Sequence, residues 1–343
     1  MKKMKWLLFI VAVLLIIWIS GPSPQKPLYS TAMPEVPAYV DLDSFIASQE
    51  SAHRIKSDNE ARIEWYDSSH QPTEYAIVYL HGFSASHEEG APVHRDMAKR
   101  FGCNLYLSRL SQHGIDTSEQ LMNLTADNYW ESAKQALAIG EKIGKKVILM
   151  GVSTGATQAI QLAAAFPDDV AGLILYSPNI AINDPNAWLL NDHWGLQIAR
   201  LVKKSNYNDP ADPRPVYKKY WNKPYRLESL VALQEMLETS MTPEVFKKVK
   251  QPVLMLYYYK DEAHQDPVVK VSSMKEMFEQ LGTPAEQKVQ KAMPNTGDHV
   301  IASPIKSKDV DGVEKETINF LKQIMGLKEI FTITLQPDQG FFF

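Results

Sequence analysis

The sequence predicts an α/β fold, a mostly parallel central sheet covered by helices on both faces, with a helical cap inserted between two parts of the core. Three observations predict it. Short apolar, β-branched runs alternate with segments of helical spacing, one stretch of about 70 residues breaks the alternation, and a Gly-x-Ser-x-Gly turn joins an apolar run to the helix that follows. The chain has 343 residues, of which 45% are hydrophobic and 22% charged, the composition of a packed globular protein. A net charge of -4 with no clustered basic face argues against nucleic acid as a partner. The single cysteine, Cys103, cannot form an intramolecular disulfide and removes every Cys-rich zinc scheme.

In chain order, residues 1–21 come first. Lys2, Lys3 and Lys5 precede an unbroken apolar run over residues 6–19, and Ser20-Gly21-Pro22 opens a Pro-rich linker over residues 22–38. The run spans only about 21 Å, against roughly 30 Å of bilayer hydrocarbon. Yet no Ala-x-Ala cleavage pattern follows, and Trp18 and Ile19 stand before Ser20. The expectation is therefore an uncleaved signal-anchor, with a cleaved signal peptide, and hence secretion, as the alternative. Three lysines before the run, against Lys26 soon after it, predict a chain anchored in the cytoplasmic membrane with its remainder outside, periplasmic or extracellular.

The first part of the core, residues 39–180, carries strand-like runs at 74–80, 104–108, 146–150 and 171–176, with helical spacing at 91–101, 128–143 and 154–166. Residues 181–250 show no convincing buried strand. Trp188, Trp194, Tyr207, Tyr217, Tyr220, Trp221 and Tyr225 crowd among prolines there, as expected of a cap over the end of the sheet. Trp188, Trp194 and Trp221 are its candidate substrate-binding side chains. The second part of the core, residues 251–326, has strand-like runs at 252–259 and 286–292 and helical spacing at 270–281 and 311–325. The tail, residues 327–343, contains Phe331-Thr332-Ile333-Thr334-Leu335 and ends in three phenylalanines, with no chemical reading.

The sharpest chemical signal is Gly151-Val152-Ser153-Thr154-Gly155, between the run at 146–150 and the helix at 154–166. Such a strand-turn-helix presents the Ser153 hydroxyl above the sheet, and its glycines allow neighbouring backbones to approach. The Thr154 N–H, at the helix start, is then well placed to receive a developing oxyanion. His81-Gly82-Phe83-Ser84 follows the run at 74–80 and offers the Phe83 N–H as a second donor, while His81 itself reads as a buried turn residue.

A serine hydroxyl needs a base. His299, in Thr296-Gly297-Asp298-His299-Val300 after the last strand-like run, sits where a loop can fold back over Ser153. His53, His70 and His193 read as surface residues. His87, Glu88, Glu89 and His94 form too weak a pattern for a metal site. The base needs an orienting carboxylate, and two compete in residues 259–269: Asp266, before Pro267-Val268-Val269, is preferred, with Asp261 in reserve.

The order Ser153, Asp266, His299 is the nucleophile-acid-base order of one fold. With His81-Gly82-Phe83, Arg109-Leu110-Ser111-Gln112-His113-Gly114, Gly151 to Gly155, Asp266-Pro267-Val268-Val269 and Gly297-Asp298-His299-Val300, the chain resembles the α/β-hydrolase superfamily over about residues 60–326. More closely, it resembles the capped esterases and monoacylglycerol lipases of the serine aminopeptidase-like group. The second motif departs from that group, which usually has glycine where Gln112 stands. The resemblance implies Ser153 as nucleophile, His299 as general base, Asp266 as orienting acid and the Phe83 and Thr154 amides as oxyanion hole, with no cofactor or metal. It implies a carboxylic ester hydrolase acting on a small acyl ester such as an acyl glycerol. An aminopeptidase, for which Glu235 or Glu238 could hold a substrate ammonium, an acyltransferase and a non-catalytic binding protein are the alternatives. Dehalogenase or epoxide chemistry would require an aspartate in place of Ser153.

Overall fold

The computed structural model describes residues 2–209 and 212–330; the Phe331–Leu335 part of the tail lies outside the described residues. Seven strands form one sheet: β1 (Arg62–Glu64), β2 (Thr73–Leu80), β3 (Asn104–Leu107), β4 (Gly144–Val152), β5 (Val170–Tyr176), β6 (Val253–Tyr257) and β7 (Lys288–Ala292). Their order is β1-β3-β2-β4-β5-β6-β7, and every pair is parallel except β1 with β3. The helices are α1 (Lys2–Ile19), α2 (Leu42–Ser51), α3 (Val93–Phe101), α4 (Ala126–Ile143), α5 (Thr154–Ala165), α6 (Gly195–Lys203), α7 (Pro215–Tyr220), α8 (Leu227–Ser240), α9 (Pro243–Lys248), α10 (Val271–Gln280) and α11 (Val310–Gln323).

The continuous apolar runs follow from burial on both faces of the sheet. Ile77, Tyr79, Ile148, Met150, Ile174, Leu254 and Leu256 pack with Val93, Met97 and Phe101 of α3 and with Val313, Phe320 and Leu321 of α11. The alternate residues Val78, Leu80, Val147, Leu149, Leu173, Val253 and Met255 pack on the other face with α4, α5, α9 and α10. Both layers are needed, because successive side chains in a strand point to opposite sides.

Two differences from the sequence reading have local causes. Helix α4 begins at Ala126 rather than 128, because the Thr125 hydroxyl accepts from the Asn128 N–H at 3.1 Å while the Asn128 side chain accepts from the Thr125 N–H at 3.0 Å. Strand β1 went unread because its three residues bury only Ile63, too little for a period-2 signal.

The signal-anchor expectation is overturned, and with it the expected anchoring in the cytoplasmic membrane and the bilayer as a partner. No helix among the described residues is long and apolar enough to cross a membrane. Helix α1 has 18 residues, but its first turn carries Lys2, Lys3 and Lys5. The apolar remainder spans about 21 Å, well short of roughly 30 Å. The end of α1 meets the cap: Trp194 Nε1 donates to the Ile17 carbonyl at 2.9 Å, and the Trp194 N–H donates to the Pro22 carbonyl at 3.0 Å.

The Pro-rich stretch after α1 runs as a strap along α4. The Leu28 N–H donates to Asp127 at 2.8 Å, Trp130 Nε1 donates to the Ser30 carbonyl at 2.8 Å, and the buried Lys134 ammonium donates to the Ala32 carbonyl at 2.6 Å. Lys134 also meets Glu131 at 2.9 Å, so its charge is partnered.

Candidate active site

The site gathers beyond the C-terminal ends of the strands, where loops are free to converge. Strand β4 ends at Val152 and α5 begins at Thr154, so the chain reverses within one residue. Ser153 takes φ 53° and ψ -117°, a conformation of a kind that typically costs about 1–3 kcal/mol. The Ser153 N–H donates to the Tyr176 carbonyl at 2.9 Å, tying the turn to the end of β5. Its glycines answer to sterics. A Cβ at Gly155 would run into the Leu80 carbonyl of β2, and one at Gly151 would come within 2.5 Å of the Ala156 nitrogen.

The Asp266 and His299 loops meet across the top of β6 and β7. Asp266 is fully buried, and its Oδ1 accepts the Val268 and Val269 N–H groups at 2.8 and 3.0 Å. That leaves Oδ2 for His299 Nδ1, at 2.6 Å. Burial pulls the His299 pKa down, but the charge and hydrogen bond of Asp266 outweigh it and leave it above the ordinary histidine value. With Nδ1 committed to Asp266, Nε2 is the ring nitrogen left without a hydrogen-bond partner among the described residues. Ser153 and His299 line one cavity of about 310 Å³; among the described residues no hydrogen bond joins the Ser153 hydroxyl to the ring.

The other sequence-selected residues divide. Asp261 stands exposed on the hairpin of Tyr259–Asp261 and His264–Gln265, bonded to His264 Nδ1 at 2.7 Å and away from His299. Phe83 lines the cavity, and neither its N–H nor that of Thr154 has a hydrogen-bond partner among the described residues. Trp221 lines the cavity, stacked on Tyr217 at 4.6 Å. Trp188 and Trp194 do not: Trp188 is 53% exposed, and Trp194 is engaged with the end of α1. His87 and His94 each face a main-chain carbonyl, of Asp58 and His87 respectively.

Buried histidines brace the loop after β2. His81 Nδ1 lies 2.9 Å from the Gly82 carbonyl and its Nε2 accepts the Leu110 N–H at 3.0 Å. His113 Nε2 accepts the Ser84 N–H at 2.9 Å, which makes the Arg109-to-Gly114 motif a support for the first one. Burial lowers the pKa of both rings, that of His113 to about 4, so both are neutral acceptors. Gln112 takes φ +65°, the left-handed conformation that suits a glycine, so the departure from glycine leaves the turn in the same backbone region.

Sequence reasoning weighed Glu89 only as a metal ligand. It lines the cavity, 2% exposed, and its Oε2 accepts the Gly82 N–H at 2.6 Å. No spacing in the sequence signals this contact, because it depends on the 3-10 turn His87–Gly90 folding beneath Gly82.

Comparisons with known proteins agree with this architecture. The family described as serine aminopeptidase, S33 (Hydrolase_4), matches residues 71–296. No curated protein sequence matches the chain. Among solved structures, a metagenome-derived lipolytic enzyme of the LipS and LipT work is similar with a TM-score of 0.62 at 16% identity, covering 78% of this chain and 99% of that one. The monoacylglycerol lipase of Paleococcus ferrophilus gives 0.57 at 14% identity, covering 76% and 97%. Est1E from Butyrivibrio proteoclasticus, solved with ferulic acid bound, gives 0.54 at 15% identity, covering 78% and 95%. At such identities the likeness shows a shared α/β-hydrolase fold.

Proposed function

The chain belongs to the serine aminopeptidase, S33, family of α/β hydrolases, and we propose that it cleaves carboxylic esters of small acyl groups through an acyl-enzyme on Ser153. The observation that carries the proposal is the buried 2.6 Å contact of His299 with Asp266 beside the cavity that Ser153 also lines. In the first half-reaction His299 Nε2 takes the hydroxyl proton as Ser153 Oγ attacks the ester carbonyl. The carbonyl oxygen becomes an oxyanion received by the Phe83 and Thr154 N–H groups, each such donor typically stabilising the transition state by about 2.7–4 kcal/mol. Collapse breaks the bond to the alcohol, which leaves with the proton held on His299. In the second half His299 takes a proton from water, whose oxygen attacks the acyl-enzyme, and returns it to Ser153 as the acid departs. Asp266 holds the imidazole in the tautomer with its proton on Nδ1 and stabilises the imidazolium that forms.

Two features favour an ester over an N-terminal peptide. Glu235 and Glu238, the acids that could hold a substrate ammonium, both accept from Asn191 Nδ2 at 2.9 Å and lie outside the cavity lining. The cavity also adjoins an apolar one of about 580 Å³, sharing Ile182 and Leu230 with it, a suitable neighbour for acyl carbon. The test is reaction of the full chain with a fluorophosphonate, located by peptide mapping, beside turnover of a series of p-nitrophenyl esters and aminoacyl amides. A single adduct on Ser153, lost in Ser153→Ala, with esters preferred, is expected. A folded protein that forms no adduct and turns over no ester would overturn the reading in favour of a binding protein, and preference for amides would make it a peptidase.

A further inference from the structure

Glu89 is the buried acid that the mechanism above leaves without a role. It sits on the turn His87–Gly90 directly beneath the loop after β2, and the one hydrogen bond of its side chain among the described residues is the one it accepts from the Gly82 N–H. A Cβ built on Gly82 would lie 2.9 Å from both Glu89 carboxyl oxygens and 3.1 Å from Ser153 Cβ, so only the width of Gly82 separates the carboxyl from the serine. Among the described residues, no lysine or arginine lies within ion-pair distance of Glu89.

We propose that Glu89 is a positioning residue for the oxyanion-receiving loop: by holding the Gly82 amide it fixes the next peptide, whose N–H is that of Phe83, beside Ser153. The inference rests on the serine-hydrolase reading of the site. It also requires a particular charge state. An ionised carboxylate one residue from Ser153 would repel the oxyanion the loop has to receive. Burial works against that ionisation and pushes the Glu89 carboxyl up to about 8, outweighing the opposing effects of the Gly82 N–H and His299. Apart from His299, the groups around it supply no counter-charge. Tyr79 of β2, Tyr129 of α4 and Tyr217 of α7 are held neutral by burial, with pKa values above the ordinary range, and His81 is neutral beside it. Glu88 turns toward Arg95, and Asp298 and Lys306 line the same cavity, the lysine paired with Asp212 at 2.9 Å. At neutral pH Glu89 therefore carries its proton, accepts from Gly82 through its carbonyl oxygen and presents no negative charge to the reacting oxygen.

The experiment compares wild type, Glu89→Gln and Glu89→Ala as full chains, by kcat and KM for one p-nitrophenyl ester from pH 5.5 to 10 and by the infrared carbonyl band of a protonated carboxylic acid. Wild type is expected to lose activity as the pH rises through about 8, by roughly tenfold or more from the charge that then faces the oxyanion. Glu89→Ala should lower kcat about 10- to 100-fold with little change in KM, the signature of an interaction made in the transition state. Glu89→Gln, which is always neutral and can still accept from Gly82, should restore most of that loss and abolish the alkaline limb. The wild-type minus Glu89→Gln difference spectrum should show a protonated-acid band at pH 7 that disappears as the pH rises through about 8. An alkaline limb unchanged in Glu89→Gln, or a wild-type kcat in Glu89→Ala, overturns the proposal; if the alanine variant does not fold, the Glu89→Gln profile and the infrared band decide. A wild type that neither turns over nor labels at Ser153 overturns the hydrolase reading itself, and this proposal with it.

Discussion

Replacing Asp266 by asparagine removes one charge and changes almost no volume, yet it should nearly abolish turnover. The Asp266 carboxylate accepts three hydrogen bonds, two from Val268 and Val269 at Oδ1 and one from His299 at Oδ2. Asparagine has one oxygen. The two amides can bond only to an acceptor, so the oxygen stays with them and the NH2 group turns to His299 Nδ1. A donor facing Nδ1 makes that nitrogen the acceptor and moves the ring proton to Nε2, where it blocks uptake of the Ser153 proton. This tautomer error is worth about 10⁴ in kcat in the triad geometry, or about 5.4 kcal/mol at 1.36 kcal/mol per decade.

Asp261→Asn gives the contrast, because Asp261 is exposed and, among the described residues, its side chain bonds only to His264 and adjacent amides. It should change kcat by less than about threefold, as exposed charge pairs contribute little. The assay is initial-rate hydrolysis of a p-nitrophenyl ester across pH. Since Asp266 raises the His299 pKa and the base works when deprotonated, the wild-type acid limb of kcat/KM should lie above the ordinary histidine value. Any residual activity of Asp266→Asn should rise at lower pH. The reasoning fails if Asp266→Asn keeps a tenth or more of wild-type kcat, or if Asp261→Asn is the more damaging change.

Two further outcomes follow from packing. Gly155→Ala sets a methyl group against the Leu80 carbonyl at the crossing of α5 and β2, so denaturant unfolding should show a loss of about 3 kcal/mol or more; an unchanged midpoint would mean that the turn relaxes freely. Trp221→Ala removes a buried ring that lines the cavity against Tyr217 and should raise KM about tenfold, whereas Trp188→Ala, at a half-exposed ring outside the lining, should leave KM within about twofold; equal effects would separate the cavity from substrate binding.

How far the sequence could be read depended on the range of the physics behind each feature. The strands at 74–80, 146–150 and 171–176 were legible because their buried parts, residues 76–80, 147–150 and 172–176, are covered on both faces and so are apolar throughout, a property of a few consecutive residues. The turn at Ser153 was legible because its glycines and strand-to-helix context are local as well. The N-terminal segment was misread for a related reason: hydropathy registers an apolar run, while crossing a bilayer depends on length, and the lysines of the first turn shorten it.

What neighbouring residues could not carry is which side chains meet across long gaps in the chain. Asp261 and Asp266 lie five positions apart in one loop, and the one that meets His299, 33 residues on, is set by the register of β6 and β7 and by the amides of Val268 and Val269. Glu89 looked like one of several acids in a polar turn until folding brought it under Gly82 and withdrew its solvent. Trp188, Trp194 and Trp221 were alike in sequence and parted in space, one exposed, one against α1 and one in the cavity. Secondary structure and the reactive turn answer to short-range sterics and periodicity, so the amino-acid order contains them; burial, charge state and partnership answer to everything packed around a group, and so they exist only once the chain has closed on itself.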